Sequence, residues 1–373
     1  HVPFCAERCH FCDCYSFRLG AHRERHANGY VDLLEQEIRL WSRLGALAAR
    51  PVSTVHFGGG TPTTLGLGPF ERLARLCRAR FGTGPGTEWA LESTASELAP
   101  GVLALLDALG FTRLHVGVQS LQDEVRRNLN RRATARDVVD TLAAAVGMGW
   151  IVSVDLIYGL PGQSLKGLVG DIRTLAAAGV DGFSLYELQI SSRNRRFARQ
   201  YGLERRDRWS NYFLSQVASR YLLSLGYEKT LFNHFAGEQD TNLYFTFPMR
   251  DEDLLALGTI ADGVFADYHY RHPEYAAYGR GVGADFPGLQ GGLRRTALEN
   301  RLQPLITALM AGAISPSLLD DRAQRPLLAG WRDGLLLADD PPSGDLRLTG
   351  NGSWFVGNMI SQLVAAAERV QSE

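Results

Sequence analysis

Four of the five cysteines, Cys5, Cys9, Cys12 and Cys14, crowd one short stretch, and Cys77 stands apart. The first three are spaced Cys-x3-Cys-x2-Cys, which can set three soft thiolates around an iron–sulfur cluster and leave one iron open. Only Asp13 separates Cys14 from Cys12, so a four-cysteine zinc site is less comfortable and a local structural role is expected for Cys14. Cys77 sits in a helical pattern and reads as an ordinary core thiol. His1 and His10 could be ligands, but structural or substrate-facing places suit them better. The odd cysteine count without widely spaced pairs argues against a secreted disulfide framework. With no apolar run near membrane length and no signal-peptide pattern, a cytoplasmic location is expected.

A second chemical segment is Gly58-Gly59-Gly60-Thr61-Pro62-Thr63, directly after a strand pattern. Its glycines bare backbone donors and acceptors and Pro62 fixes the departing loop, so it could hold the amino-acid part of a cofactor. It is neither a dinucleotide fingerprint nor a phosphate loop; in isolation a tight structural turn is the better reading, and beside the three-cysteine loop cofactor binding is. Tyr186, Glu187, Gln189, Tyr227, Glu228 and Tyr244 carry groups able to move protons or shape substrate access, or to pack and cap.

Positioning these residues falls to alternating apolar strands and helices. Strands are expected over Val52–Gly58, Glu88–Glu92, Arg113–Val118, Ile151–Tyr158 and Gly182–Leu188, and helices over Pro69–Arg80, Ala99–Leu109, Ala133–Met148 and Lys166–Ala177. Such units predict an α/β chain with a partial or complete β/α barrel, the cysteines lying in an early strand-to-helix loop. After Ser191 a basic stretch, Arg193–Arg208, leads into an amphipathic helix over Trp209–Leu225; it reads as solvated surface, with substrate recruitment as the alternative. The Tyr- and Gly-rich sequence between Phe232 and Gly291 predicts an accessory sheet and active-site cover. Helices are expected over Leu302–Met310, over Ser317–Arg325 with Pro326 as its stop, and around Trp354–Val370; Pro341–Gly344 reads as a linker turn and Leu346–Leu348 as a strand. The division expected is 1–190 as core, 191–290 as substrate-pocket and accessory segment, and 291–373 as a helical C-terminal domain. In 373 residues, 45% hydrophobic side chains, 21% charged side chains and a net charge of −1 exclude a disordered chain and give no support to a nucleic-acid-binding face.

Taken together, the cysteine loop, the Gly-rich turn, Gly117-Val118-Gln119-Ser120, Asn130-Arg131, Asp155-Leu156-Ile157-Tyr158-Gly159-Leu160-Pro161-Gly162-Gln163 and Ser184-Leu185-Tyr186 resemble the radical S-adenosylmethionine superfamily. The resemblance is to its oxygen-independent coproporphyrinogen oxidase-like family, and weaker similarity runs through Gly226-Tyr227-Glu228 to Leu346-Arg347-Leu348-Thr349. It implies a radical SAM partial β/α barrel with a C-terminal α+β accessory domain. It also implies that Cys5, Cys9 and Cys12 hold a [4Fe–4S] cluster with S-adenosylmethionine on the fourth iron. Phe11 would lie near adenine, Gly59, Gly60 and Thr61 near the methionine moiety, and Glu92, Gln119, Arg131 and Asp155 around one or two S-adenosylmethionine molecules.

The resemblance leaves several reactions open. Asp240-Thr241-Asn242-Leu243-Tyr244-Phe245 departs from the heme-chaperone pattern His-Asn-x-x-Tyr-Trp, and Leu257–Gly263 departs from the family's Gly-rich stretch. These departures favour a class C radical methyltransferase or cyclopropanase, using two S-adenosylmethionine molecules to pass a one-carbon unit to an sp2 carbon of a natural product. Tyr186, Glu187, Tyr227 and Tyr244 are its candidate catalytic residues, and a small heteroaromatic or unsaturated substrate and a reducing electron donor its expected partners, with no nucleic acid or membrane. The alternatives are oxygen-independent oxidative decarboxylation of coproporphyrinogen and a non-catalytic heme chaperone.

Overall fold

The structure, a computed structural model, describes the chain apart from residues 21, 206, 232, 251, 283–289, 319–323, 341–342 and 373, and apart from the side chains of 205, 248 and 370–372. Part of the basic stretch, residues 319–323 of the expected Ser317–Arg325 helix and the start of the expected Pro341–Gly344 turn therefore lie outside the described residues.

The first half runs β1 (Phe4–Cys5), β2 (Phe17–Arg18), α1 (Arg23–Trp41), α2 (Gly45–Ala48), β3 (Thr54–Phe57), α3 (Leu67–Arg80), β4 (Glu88–Ser93), α4 (Pro100–Ala108), β5 (Arg113–Gln119), α5 (Asp123–Asn128), α6 (Ala135–Gly147), β6 (Ile151–Tyr158), α7 (Leu165–Ala177) and β7 (Gly182–Glu187). Helix starts are written locally: Thr134 and Asp137 form a reciprocal capping box at α6, and the Ser164 hydroxyl accepts the Gly167 N–H at α7. Strands β3, β4, β5, β6 and β7 pair in parallel and in that order, as βα units require.

Alternation along these strands sorts side chains between two faces. Trp89, Leu91, Leu114, Val116, Val152, Val154 and Phe183 are each at most 3% exposed and pack into the main core. Each such burial contributes about 1.5–3 kcal/mol. The intervening residues, His56, Glu92, Arg113, His115, Ser153, Asp155, Ser184 and Tyr186, face the other way and form the polar lining of a partial barrel.

The second half continues with α8 (Arg195–Gln200), α9 (Arg208–Ser224), β8 (Glu228–Lys229), β9 (His234–Ala236), α10 (Leu243–Thr246), β10 (Asp262–Phe265), β11 (Tyr268–Arg271), α11 (Tyr275–Val282), β12 (Gly291–Arg294), α12 (Ala297–Ala311), β13 (Ala313–Ile314), α13 (Arg325–Asp333), β14 (Leu337–Asp340), β15 (Asp345–Leu348) and α14 (Gly350–Ser372). Antiparallel β9 and β8 extend the sheet beyond β7, while β10, β11 and β12 form the accessory sheet. The C-terminal elements enclose a second core that includes Leu305, Leu309, Trp331, Leu346, Met359 and Leu363. Pro326 does not stop a helix here: it lies in the first turn of α13, where its missing N–H has no helical partner to lose. No described helix is long and apolar enough to cross a membrane.

Candidate active site

The cysteine loop joins β1 to α1 and is clasped from several sides. Val2 N–H donates to the Gly58 carbonyl at 2.8 Å, and the N–H groups of Gly60 and Thr61 donate to the Val2 and Phe4 carbonyls, each at 2.7 Å. This strand-like pairing lays β1 against the Gly-rich turn. Glycine is required there, since a Cβ on Gly60 would lie 2.5 Å from the Phe4 carbonyl oxygen, and Gly59 has φ +111°. Thr61 Oγ1 lies 3.7 Å from Cys5 Sγ, so the turn reaches the first thiol directly.

Two asparagines hold the rest of the loop. Asn130, in the left-handed region at φ +61°, donates its amide to the Arg8 carbonyl at 2.9 Å. Asn194 donates to the Phe11 carbonyl at 2.7 Å and the Gln189 carbonyl at 2.8 Å. Arg193 donates to the Asp13 and Cys14 carbonyls, and the Arg131 guanidinium lies 6.0 Å from the Phe11 ring centroid. Cys5, Cys9 and Cys12 are half-buried, whereas Cys14 is exposed. Burial raises the thiols of Cys5 and Cys9; the Cys14 hydrogen bond, followed by burial, raises that of Cys12.

Three soft, partly buried thiols on one loop fit the donor set of an iron–sulfur cluster. Among the described residues, no three His, Cys, Asp or Glu side chains converge as a single metal ion requires. A cluster makes no such demand, because each cysteine binds a different iron.

Beside the loop stands the polar lining. Glu92 accepts His56 Nε2 at 2.9 Å and the Gly59 N–H at 3.1 Å. Burial pushes its carboxyl up, but the His56 bond, the charges of His56 and His115 and the Gly59 N–H outweigh it and bring the pKa to about 2. The His56 ring stacks on Tyr244 at 3.9 Å between centroids. His115 pairs with Asp155 at 2.8 Å and Ser153 at 2.9 Å; burial lowers its pKa, but Asp155 more than offsets that and the net shift is upward. Gln119, at φ +63° beside a register shift in β5, accepts Arg131 Nε at 2.9 Å.

Thus Cys5, Cys9, Cys12, Phe11, Gly59, Gly60, Thr61, Glu92, Gln119, Arg131 and Asp155 come to one end of the strands, with Tyr186 and Tyr244 alongside. Burial, together with the Asp155 charge, raises the Tyr186 phenol; burial pushes that of Tyr244 up to about 12. Glu187 takes the outer face and accepts the Asn211 amide at 2.8 Å. Tyr227 is not brought to this group: its hydroxyl donates to the Val180 carbonyl at 2.6 Å, ahead of β7. His56, His115, Asn130 as a loop clasp, Arg193 and Asn194 were not singled out for these contacts by the sequence. The histidines were marked only by polar residues at every second position of apolar strands.

A parallel βα sheet with a three-cysteine loop at its carboxyl end defines a radical SAM enzyme. The Radical SAM superfamily profile matches residues 1–175. Oxygen-independent coproporphyrinogen III oxidase of Salmonella typhimurium is 30% identical over 327 residues, covering 83% of this chain and 70% of that protein. Anaerobilin synthase of Escherichia coli O157:H7 is 27% identical over 379 residues, covering 97% and 82%. The solved coproporphyrinogen III oxidase of Escherichia coli superposes with a TM-score of 0.85 at 26% identity, over 97% of this chain and 88% of that one. The chain belongs to the radical SAM superfamily and, within it, to the oxygen-independent coproporphyrinogen oxidase family.

These matches overturn the expectation of methyl transfer or cyclopropanation to a natural product, because they extend far beyond the cofactor motifs that the whole superfamily shares. The sequence departures behind that expectation have a packing explanation. Asp240 is 4% exposed and pairs with Arg113 at 2.5 Å and His234 at 2.9 Å. The N–H groups of Gly258 and Thr259 are taken by Glu37 and the Tyr30 hydroxyl. Neither segment therefore argues for a changed substrate.

Proposed function

We propose that this protein carries out heme-related radical chemistry, namely the oxygen-independent oxidation of a porphyrinogen in which a propionate side chain loses carbon dioxide. The observation that carries this reading is the likeness to a coproporphyrinogen III oxidase over 97% of the chain, accessory region included. In this reading Cys5, Cys9 and Cys12 hold a [4Fe–4S] cluster, and Gly59, Gly60 and Thr61 receive the methionine end of S-adenosylmethionine beside Phe11. Glu92, Gln119, Arg131 and Asp155 surround one or two such molecules. When bound, the cluster and S-adenosylmethionine would supply a carbon radical able to remove a hydrogen atom, with an external donor providing one electron for the cleavage and an external one-electron acceptor taking the electron released as carbon dioxide leaves.

The chain itself orients and shields. Glu92 stays ionised through its His56 and Gly59 contacts and so presents a fixed negative charge to an ammonium group. Tyr186 and Tyr244, with phenols held protonated, border the approach to the lining and can donate hydrogen bonds without accepting a proton at neutral pH. Residues 1–190 serve as the radical-generating core, 191–290 as pocket boundary and accessory segment, and 291–373 as the C-terminal domain.

A second reading, action on heme itself, is favoured by the match to anaerobilin synthase over 97% of the chain. Anaerobic turnover with coproporphyrinogen III and with heme, each with S-adenosylmethionine and a reductant, separates the two. Loss of carbon dioxide and two hydrogen atoms from each reacting propionate, with 5′-deoxyadenosine formation, is expected. Turnover of heme alone supports the second reading, and turnover of neither rejects both.

A further inference from the structure

His115 is 5% exposed and stands on the polar side of β5. The parallel register sets it directly opposite Ser153 on β6, and Asp155 is the next residue of β6 on the same face. One imidazole therefore spans two side chains of the neighbouring strand: its Nδ1 meets Ser153 Oγ at 2.9 Å and its Nε2 meets Asp155 Oδ1 at 2.8 Å. Ser153 is fully buried. A hydroxyl can donate and accept, so the neutral ring takes the hydroxyl hydrogen at Nδ1 and the protonated ring donates its own there. In either state Nε2–H donates to Asp155, and the clamp does not depend on the charge of the ring.

Both ring nitrogens are thus committed, which leaves His115 nothing to offer a ligand directly. Asp155 is different. Its side chain is 25% exposed, Oδ1 accepts the imidazole, and among the described residues Oδ2 takes no protein hydrogen bond. Asp155 also lies nearer than Ser153 to the carboxyl end of β6, the end at which the cysteine loop sits. The Phe245 ring of α10 lies 5.5 Å from His115 and 5.9 Å from His56, centroid to centroid, so the accessory segment covers the imidazole. A hydrogen bond kept from water in this way holds its geometry more firmly than one in solvent.

We propose that His115 is a positioning residue, which fixes one oxygen of Asp155 and leaves the other presented to a hydrogen-bond donor of bound S-adenosylmethionine. The inference rests on the reading above that Asp155 borders that cofactor, and it adds a residue that does not touch the cofactor itself. A carboxylate held by a buried imidazole is ordered when the chain folds, so its rotation is not lost again when the ligand binds.

Two amides tell the two nitrogens apart. His115→Gln carries a donor to about the place of Nε2 and keeps the Asp155 bond, whereas His115→Asn ends near the place of Nδ1 and keeps only the Ser153 bond. Labelled S-adenosylmethionine is bound, without substrate or reductant, to the anaerobically reconstituted full chain and its Kd read by equilibrium dialysis. Kd should rise about tenfold in His115→Asn and His115→Leu, the size usual when a partner that orients a binding carboxylate is lost, and stay within about threefold of wild type in His115→Gln. Asp155→Asn should raise Kd as well, and combining it with His115→Leu should raise it no further, because both changes remove the same arrangement. Iron content should match wild type throughout, since among the described residues His115 has no hydrogen bond or ring contact with the cysteine loop. His115→Asn and His115→Leu drop the same bond with different packing, so either one that keeps the wild-type circular dichroism decides. Wild-type Kd in His115→Leu, equal losses in the Gln and Asn variants, or additive losses with Asp155→Asn overturns the proposal. Weakened binding in a protein that leaves coproporphyrinogen unoxidised keeps the positioning role and removes the porphyrinogen reading. Wild-type Kd in His115→Leu of a protein that oxidises coproporphyrinogen does the reverse.

Discussion

The three loop cysteines and Cys77 differ in what their loss should do. Cys5→Ala, Cys9→Ala or Cys12→Ala each removes one thiolate from the proposed cluster and should abolish reductive cleavage of S-adenosylmethionine, with iron bound after anaerobic reconstitution falling sharply. Cys77, buried against the main core and raised to about 12 by that burial, should leave iron content unchanged when replaced by Ala. Wild-type iron in all three loop variants would reject the ligand assignment. Glu92 offers a pH test. Its carboxyl sits at about 2 in the folded chain against an ordinary 4.5, so the stability it contributes is present in full above 4.5 and lost as pH falls towards 2. In the metal-free protein, the Tm gap between wild type and Glu92→Gln should be widest near neutral pH and close across that window; a constant gap would show that Glu92 is not held ionised. The cysteines and the Gly-rich turn were legible in the sequence from spacing alone. His56 and Asn194 were not, because their partners, Glu92 and Phe11, lie far along the chain.

At the scale of elements, the barrel lining is joined to the segment after β9 by a buried ionic chain. Arg113 on β5 reaches Glu88 at 2.7 Å and Asp240 at 2.5 Å, and Asp240 also takes His234. Asp240→Ala should cost about 1.5–3 kcal/mol in denaturant unfolding, because it leaves the buried guanidinium with Glu88 alone and removes the partner of His234. Gly182→Ala should also destabilise, since its Cβ would fall 1.8 Å from Asp240 Oδ2; a loss below about 0.5 kcal/mol for Asp240→Ala would place the chain in solvent. Element types in the first half were readable because period and length agree: Ile151–Tyr158 is a strand over its whole expected length. The reading of Pro326 as the stop of a helix over Ser317–Arg325 failed, because α13 begins at Arg325 and carries Pro326 in its first turn. Proline disrupts an interior turn but suits a first turn, and only the packing of Trp331 and Leu327 in the second core decides which it meets.

For the whole molecule, the second core holds the C-terminal elements together. Trp331 is 3% exposed there and donates to Gln362 at 2.7 Å. Trp331→Ala should cost about 3–5 kcal/mol, and limited proteolysis should cut the C-terminal residues first. Cluster loading, which draws on residues of the first half, should persist in that variant, and loss of loading together with the C-terminal elements would show that the two cores unfold as one.

The radical SAM core was readable along the chain, because three cysteines, a Gly-rich turn and alternating βα patterns are local features whose spacing survives without knowledge of distant contacts. It misjudged the reaction, because the departures at Asp240 and Leu257–Gly263 look like altered chemistry until their partners Arg113, His234, Glu37 and Tyr30 are seen. Tertiary packing alone reveals that these residues pack, that Tyr227 lies away from the site, and that Leu327 and Trp331 join a second core. Each depends on side chains distant in sequence meeting in space, which no one-dimensional period records.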